Sequence, residues 1–309
     1  MEQLSYDILY NIIFSNNLNK YNIYYLILTN VFINILIKKK YKYIFKSNNN
    51  KHIDLNMYNN TFEVHLFQCN IYNINILLNI NTLLTRCCNL NNNSILYLKY
   101  IRICDLSSNY DITNINNLYN LQKLDLSYCD KIIDVSMLGN IYDLNLAHCK
   151  KIKDISKLSN NTILNLRGCN ISDVSTLGNV YRLDLSYNNN ITNIELLRNN
   201  YELDITQCNN IISFLSLKNI IKLTLEECIQ EIILPDFTNI KYLNVKNCNN
   251  LIYMPNLSNM DYLNIEWCNN IKNKYILKNI KEICVNNYSI YDKNKIINSN
   301  IIYNGYYNY

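Results

Sequence analysis

The sequence predicts an α/β-type solenoid, in which about twelve short coils stack and a parallel sheet runs along one side. Three observations predict it. Eight of the twelve cysteines (Cys69, Cys129, Cys149, Cys169, Cys208, Cys228, Cys248 and Cys268) lie at multiples of 20 residues, with one single-residue slip after Cys169. Such spacing marks an internal repeat. Each lattice cysteine closes an alternating phrase, such as Leu124-Asp125-Leu126-Ser127-Tyr128-Cys129 and Leu144-Asn145-Leu146-Ala147-His148-Cys149. Between phrases the apolar residues recur at intervals of about three: Ile132, Val135, Leu138 and Ile141 after Cys129, and Leu251, Met254, Leu257 and Met260 after Cys248.

The alternating phrase has the two-residue period of a short strand, with its leucines inward. Identical strands one repeat apart stack about 4.8 Å from each other, so eleven steps give a sheet on the order of 50 Å long. The three-residue spacing suits neither an amphipathic helix nor a second strand. It suits a coil with inward residues all round its turn, which buries its apolar side only against its neighbours.

In chain order, residues 1–48 fall off the lattice. Leu4, Ile8, Leu9, Ile12 and Ile13 recur at helical spacing, with Ser5 and Asp7 suited to a first turn, and predict a small helical N-terminal cap. Coils run over 60–288. The phrase recurs at Val64-His65-Leu66, as a poor copy at Leu84 with Arg86 in its second inward place, and at Cys104-Asp105-Leu106. It continues through Leu164, Leu183, Leu203, Leu223, Leu243 and Leu263 and fades at Ile283-Cys284-Val285. The unit from Cys169 to Leu183 loses one residue in its outer loop. Residues 289–309 form a C-terminal cap or tail.

At the lattice position Asn89, Asn109 and Asn188 alternate with cysteine. A small buried side chain that donates a hydrogen bond to the neighbouring turn explains both residue types. Disulfides and metal are not expected. Cys87-Cys88 and His148-Cys149 are adjacent pairs, without the short separations that zinc sites use. Twelve reduced thiols point to an intracellular, cytoplasmic or nuclear, location.

The segment Leu121-Gln122-Lys123-Leu124-Asp125-Leu126-Ser127-Tyr128-Cys129-Asp130-Lys131-Ile132 resembles the leucine-rich repeat signature L-x-x-L-x-L-x-x-N/C-x-L, and the match recurs over some 220 residues. The resemblance implies a horseshoe with strands on the concave side and loops or short helical turns on the convex side. Units this short leave no room for long convex helices. The heavy use of Asn, Ile, Tyr and Lys looks like that of repeat proteins from AT-rich genomes, including large DNA viruses.

Asn makes up about a fifth of the chain, a bias often seen in disordered segments. The 49% apolar content and strict period supply a continuous core instead. A net charge of +5 is mild, and the clearest basic cluster, Lys38, Lys39, Lys40, Lys42 and Lys46, is a solvated patch rather than a stripe. No nucleic-acid partner is expected. The apolar stretch Ile23 to Ile37 is too short and, with Asn30 and Asn34, too polar to span a membrane, and no secretion signal is evident.

The chain carries no phosphate loop or hydrolase motif, and His52, His65 and His148 lie in separate units. The expectation is a monomeric, non-catalytic interaction protein without cofactor, whose working part is a surface. Residues between the inward leucines face the concave side. Asp105, Asp125, Asn145, Asn165, Asp184, Asp204, Thr224, Asn244 and Asn264 form one column, read as a side-chain ladder along the strands. Two variable columns beside it supply the candidate partner-binding residues: Tyr128, His148, Arg167, Tyr187, Glu227, Lys246 and Trp267.

The N-terminal run Leu4-Ser5-Tyr6-Asp7-Ile8-Leu9-Tyr10-Asn11-Ile12-Ile13, with Leu26-Ile27-Leu28-Thr29-Asn30-Val31-Phe32, is similar to the F-box. Ser5 stands where that family carries proline, and Asn30 near its usual cysteine or basic residue. The resemblance implies docking to the adaptor of a cullin-based ubiquitin ligase through Leu4, Ile8, Leu9 and Ile12. The alternative is that these four pack on the first coil, and that the chain is a structural or decoy solenoid without a ligase link.

Overall fold

The computed structural model describes residues 44–48, 52–54, 63–72, 80–96, 98, 101–257, 260–273, 280–285 and 300–303. Within them, fourteen strands make one parallel sheet whose order follows the chain, while His52–Asp54 and Asn70–Tyr72 pair separately. Strand Lys123–Asp125 pairs with Asp143–Asn145, which pairs with Ile163–Asn165, each one repeat on. Across the short unit the register holds, Leu164 facing Leu183. A leucine-rich-repeat solenoid is therefore what the chain builds.

One coil shows why. Leu124, Leu126, Cys129, Ile132, Val135, Leu138 and Ile141 are each at most 1% exposed. The three-residue spacing brings the chain back inward at every corner. At the convex corner an Asx turn opens a short 3-10 helix: Asp134 accepts from Ser136 N at 2.9 Å before Ser136–Leu138, and Asp154 does the same for Ser156–Asn160. The convex side carries such turns in place of long helices, as units of this length require.

The sheet reaches beyond 60–288 at both ends. Ile44–Asn48 pairs with Glu63–Phe67, and Asn300–Tyr303 with Glu282–Val285. The expected helical cap, with Leu4, Ile8, Leu9 and Ile12, lies outside the described residues. One unit is in a different register from that expected. Val64 faces Leu83 and Leu83 faces Cys104, so the phrase is Leu83-Leu84-Thr85, not Leu84-Thr85-Arg86. Thr85 and Cys88 are buried and Arg86 is exposed. A 19-residue step followed by one of 21 leaves the neighbours on the lattice, so strict counting misplaces this strand by one residue. The rung is then Cys88, and Asn89 is exposed beside it.

The rungs are interior. Cys129, Cys149, Cys169, Cys208, Cys228 and Cys248 are 0% exposed, and every cysteine is a free thiol. Each points its Sγ at the carbonyl of the second inward residue one coil back: Cys149 to Leu126 O at 3.1 Å, Cys169 to Leu146 O at 3.0 Å, Cys268 to Val245 O at 2.8 Å. Asn109 and Asn188 do the same job with amides. Asn188 Nδ2 donates to Leu166 O and Leu185 O, both at 2.8 Å. Burial pushes the thiols of Cys129, Cys169 and Cys208 up to about 12, so they remain protonated donors.

A second polar rung lies at the next corner. Buried Asn161 stands where the preceding coil has Ile141, and its Nδ2 donates to Leu138 O at 2.9 Å and Ile141 O at 2.6 Å. Asn200 repeats the arrangement on Leu177 O and Val180 O.

Candidate functional surface

The open, concave face is assembled where each strand ends. Asp125 Oδ1 accepts from Ser127 N at 2.8 Å, and the pattern recurs at Asn145, Asn165, Asp184, Asp204, Asn244 and Asn264. The Asp/Asn column is therefore mainly a set of Asx turns, each ending its own strand. Bonding between strands is a minor part of it, as in Asn145 Nδ2 to Asp125 Oδ2 at 2.8 Å. That corrects the expected ladder: the second residue's amide hydrogen is closer and better aimed than the next coil.

The turn has a consequence for the residue before each rung. Tyr128, His148, Tyr187, Glu227 and Trp267 have φ of 62°, 61°, 63°, 57° and 62°, in the left-handed region, and Gly168 has 62°. The amides of Tyr128, His148, Gly168, Tyr187 and Glu227 are held by the following coil, Tyr128 N on Ala147 O at 2.8 Å and Tyr187 N on Thr206 O at 2.8 Å. A bulky residue pays roughly 1 kcal/mol for that conformation. These five are therefore not strand residues. They ride a strained turn at the margin of the sheet, which is why His148 faces outward while Cys149 beside it is core.

Their side chains stack along the solenoid. The Tyr128 and His148 rings lie 4.6 Å apart at 19°. His148 also covers Gly168, where an added Cβ would stand 2.7 Å from Nδ1. In the adjoining column the Arg167 guanidinium sits 4.0 Å over the Tyr187 ring and reaches Ser186 Oγ at 3.3 Å. Tyr128 with His148 and Arg167 with Tyr187 thus form two stacked pairs on successive coils. Burial, with the Arg167 and Lys150 charges, holds the His148 imidazole below its ordinary pKa.

The remaining candidates lie further along. Glu227 accepts from Gln207 Nε2 one coil back. Lys246 reaches Glu266 at 3.4 Å, where the carboxylate is buried and also meets Asn264. Trp267 is 42% exposed. The Tyr242 and Tyr262 rings stack on each other at 4.4 Å, so they form their own pair. The structure pairs Tyr128 with His148 and Arg167 with Tyr187, and it sets Glu227, Lys246 and Trp267 apart from them.

A further column escaped the sequence reading. Residues just before the inward leucine lie on the same face: Lys123, Asp143, Arg182, Glu202 and Lys222. They pair along the stack, Lys123 with Asp143 at 2.6 Å, Arg182 with Glu202 at 3.2 Å and Lys222 with Glu202 at 2.6 Å. Exposed pairs of this kind contribute little to stability. The signal was the same two-residue alternation, applied on the other side of the leucine. Among the described residues no group of three or more His, Cys, Asp or Glu side chains could hold a metal ion, and no helix is long and apolar enough to cross a membrane.

No protein-family model and no curated protein matches the sequence. Solved structures from Listeria monocytogenes are similar to the chain. Internalin InlF is 17% identical, over 80% of this chain and 81% of that one, with a TM-score of 0.49. Internalin C2 is 24% identical, over 52% and 78%, with a TM-score of 0.42. The functional domain of InlJ, described as including a cysteine ladder, is 15% identical over 84% and 71%, with a TM-score of 0.48.

Proposed function

We propose that the chain is a non-catalytic interaction scaffold that binds a protein partner on its concave face. The observation that carries this is the strained column. Tyr128, His148, Tyr187, Glu227 and Trp267 hold left-handed φ values that glycine would relieve, and Tyr128, Tyr187 and Trp267 remain 37–44% exposed. Strain kept at an exposed aromatic position favours a role for the side chain outside the fold. Aromatic residues and arginine dominate binding hot spots, and Arg167 is already posed over the Tyr187 ring. Lys246 and Glu227 supply charge on the same margin.

The experiment is capture of partners by the full chain, with Arg167→Ala and Trp267→Ala beside it, compared by quantitative mass spectrometry. A partner retained equally by both variants contradicts the reading. A structural or decoy solenoid would show no partner specific to this face.

A second reading rests on the N-terminal resemblance. Residues 1–48 carry the F-box-like spacing of Leu4, Ile8, Leu9 and Ile12 ahead of the repeats. In this reading they dock a cullin-ligase adaptor while the solenoid selects the target. Adaptor co-purification that survives Leu9→Asp and Ile12→Asp would remove it. The free, carbonyl-bonded thiols support a reducing location, cytoplasmic or nuclear.

A further inference from the structure

Away from the concave face, a groove of about 640 Å³ opens on the flank where two successive coils leave the sheet. Lys150, Lys151, Lys153 and Lys157, from one coil, line one side of it, and Ile133, Asp134 and Ser136 line the other. The four lysines are exposed, and none closes an ion pair with another described residue. The neighbouring coil shows what a partner at this place looks like, since Lys131 pairs with Asp111 at 2.7 Å. One repeat on, Lys151 stacks beside Lys131, which is already paired. Lys153 and Lys157 stack beside Ile133 and Met137, which are 63% and 47% exposed. Four like charges in eight residues repel one another, and the Asp134 and Asp154 carboxylates in the same lining offset only part of that repulsion.

We propose that this groove docks an acidic segment of a partner polypeptide, with its carboxylates on the lysines and an apolar side chain against Ile133 and Met137. Charge complementarity selects an anion. Three features favour a polypeptide over a nucleic acid. The groove's lysines without an ion-pair partner are confined to one coil, and they do not run as a stripe along the solenoid. Exposed apolar surface adjoins it. The Asp134 and Asp154 carboxylates also line it, and amide hydrogens from Ser136 and Ser156 hold both below the usual carboxylate range. Fixed negative charge between the lysines opposes evenly spaced phosphates but leaves room for isolated carboxylates.

The test is fluorescence anisotropy of a fluorescein-labelled Glu-rich decapeptide carrying two leucines, titrated with the full chain at low and at near-physiological salt. Saturable binding that weakens with salt is expected. Lys151→Glu/Lys153→Glu/Lys157→Glu is expected to lose at least about tenfold in affinity, because attraction becomes repulsion at each position. Arg167→Ala, on the concave face, should leave peptide binding unchanged, so this groove and the proposed concave site fail separately. If the triple variant loses its circular-dichroism spectrum, the corresponding triple glutamine variant is read in its place. The proposal is overturned by absence of saturable binding at low salt, or by equal binding to the charge-altered protein. It is also overturned if oligothymidylate of the same charge binds as tightly as the peptide.

Discussion

Replacing Cys149 with alanine removes one rung of the ladder. The side chain is 0% exposed and its Sγ lies 3.1 Å from Leu126 O. Deleting the sulfur forfeits about 0.8 kcal/mol of transfer energy, close to that of one buried methylene. The cavity it leaves adds about 0.5 kcal/mol. The lost donor adds about 0.5 kcal/mol, at the weak end of the range for hydrogen bonds. The sum is about 2 kcal/mol. At a urea dependence of about 3 kcal/mol per M, the unfolding midpoint should fall by roughly 0.6 M without a change in slope. Cys149→Asn is the informative companion. Asn188 already serves as a rung through two 2.8 Å bonds to carbonyls, so asparagine should cost less than alanine despite its greater polarity. An alanine variant within about 0.2 M of wild type, or an asparagine variant worse than alanine, would refute the donor role.

Other outcomes follow from the same geometry. Leu144→Ala, at a fully buried inward strand position, should cost about 3 kcal/mol by urea denaturation, because both neighbouring coils are held in place by the sheet register. Arg167→Ala and Tyr187→Ala should each weaken partner binding about tenfold or more by calorimetry, and the double variant should lose less than the product of the two, since the residues stack. Asp204 has its carboxyl pKa raised by burial, against the help of Thr206 and with Asp184 and Glu226 adding repulsion. A raised folded pKa means stability gained as pH falls through it, so Asp204→Asn should raise Tm at pH 7 and lose that advantage in acid. Asparagine already serves the same Asx turn at Asn165, so the substitution should leave the coil intact.

The solenoid was legible because its signals are periodic and physically redundant. Strand, rung and corner residues each repeat, so one irregular unit does not hide the rest. Leu83-Leu84 shows where that fails: two adjacent leucines satisfy either register, and only pairing with Val64 and Cys104 selects Leu83. The strained column was illegible for another reason. Left-handed positions announce themselves as glycine or asparagine, and here only Gly168 and Asn247 do so among tyrosine, histidine, glutamate and tryptophan. The amide held by the next coil imposes φ there, which residue identity does not record. Asn161 and Asn200 were equally hidden, because in an Asn-rich chain a buried rung looks like loop.

The ladder's place inside the rod is tested most directly by pulse labelling of the native protein with iodoacetamide, read cysteine by cysteine by mass spectrometry. Cys87 alone should react at the rate of an accessible thiol, since the other eleven cysteines are buried. All twelve should react once the chain is unfolded. Native labelling of Cys149, Cys169 or Cys248 at the Cys87 rate, or their recovery as a disulfide, would contradict the account.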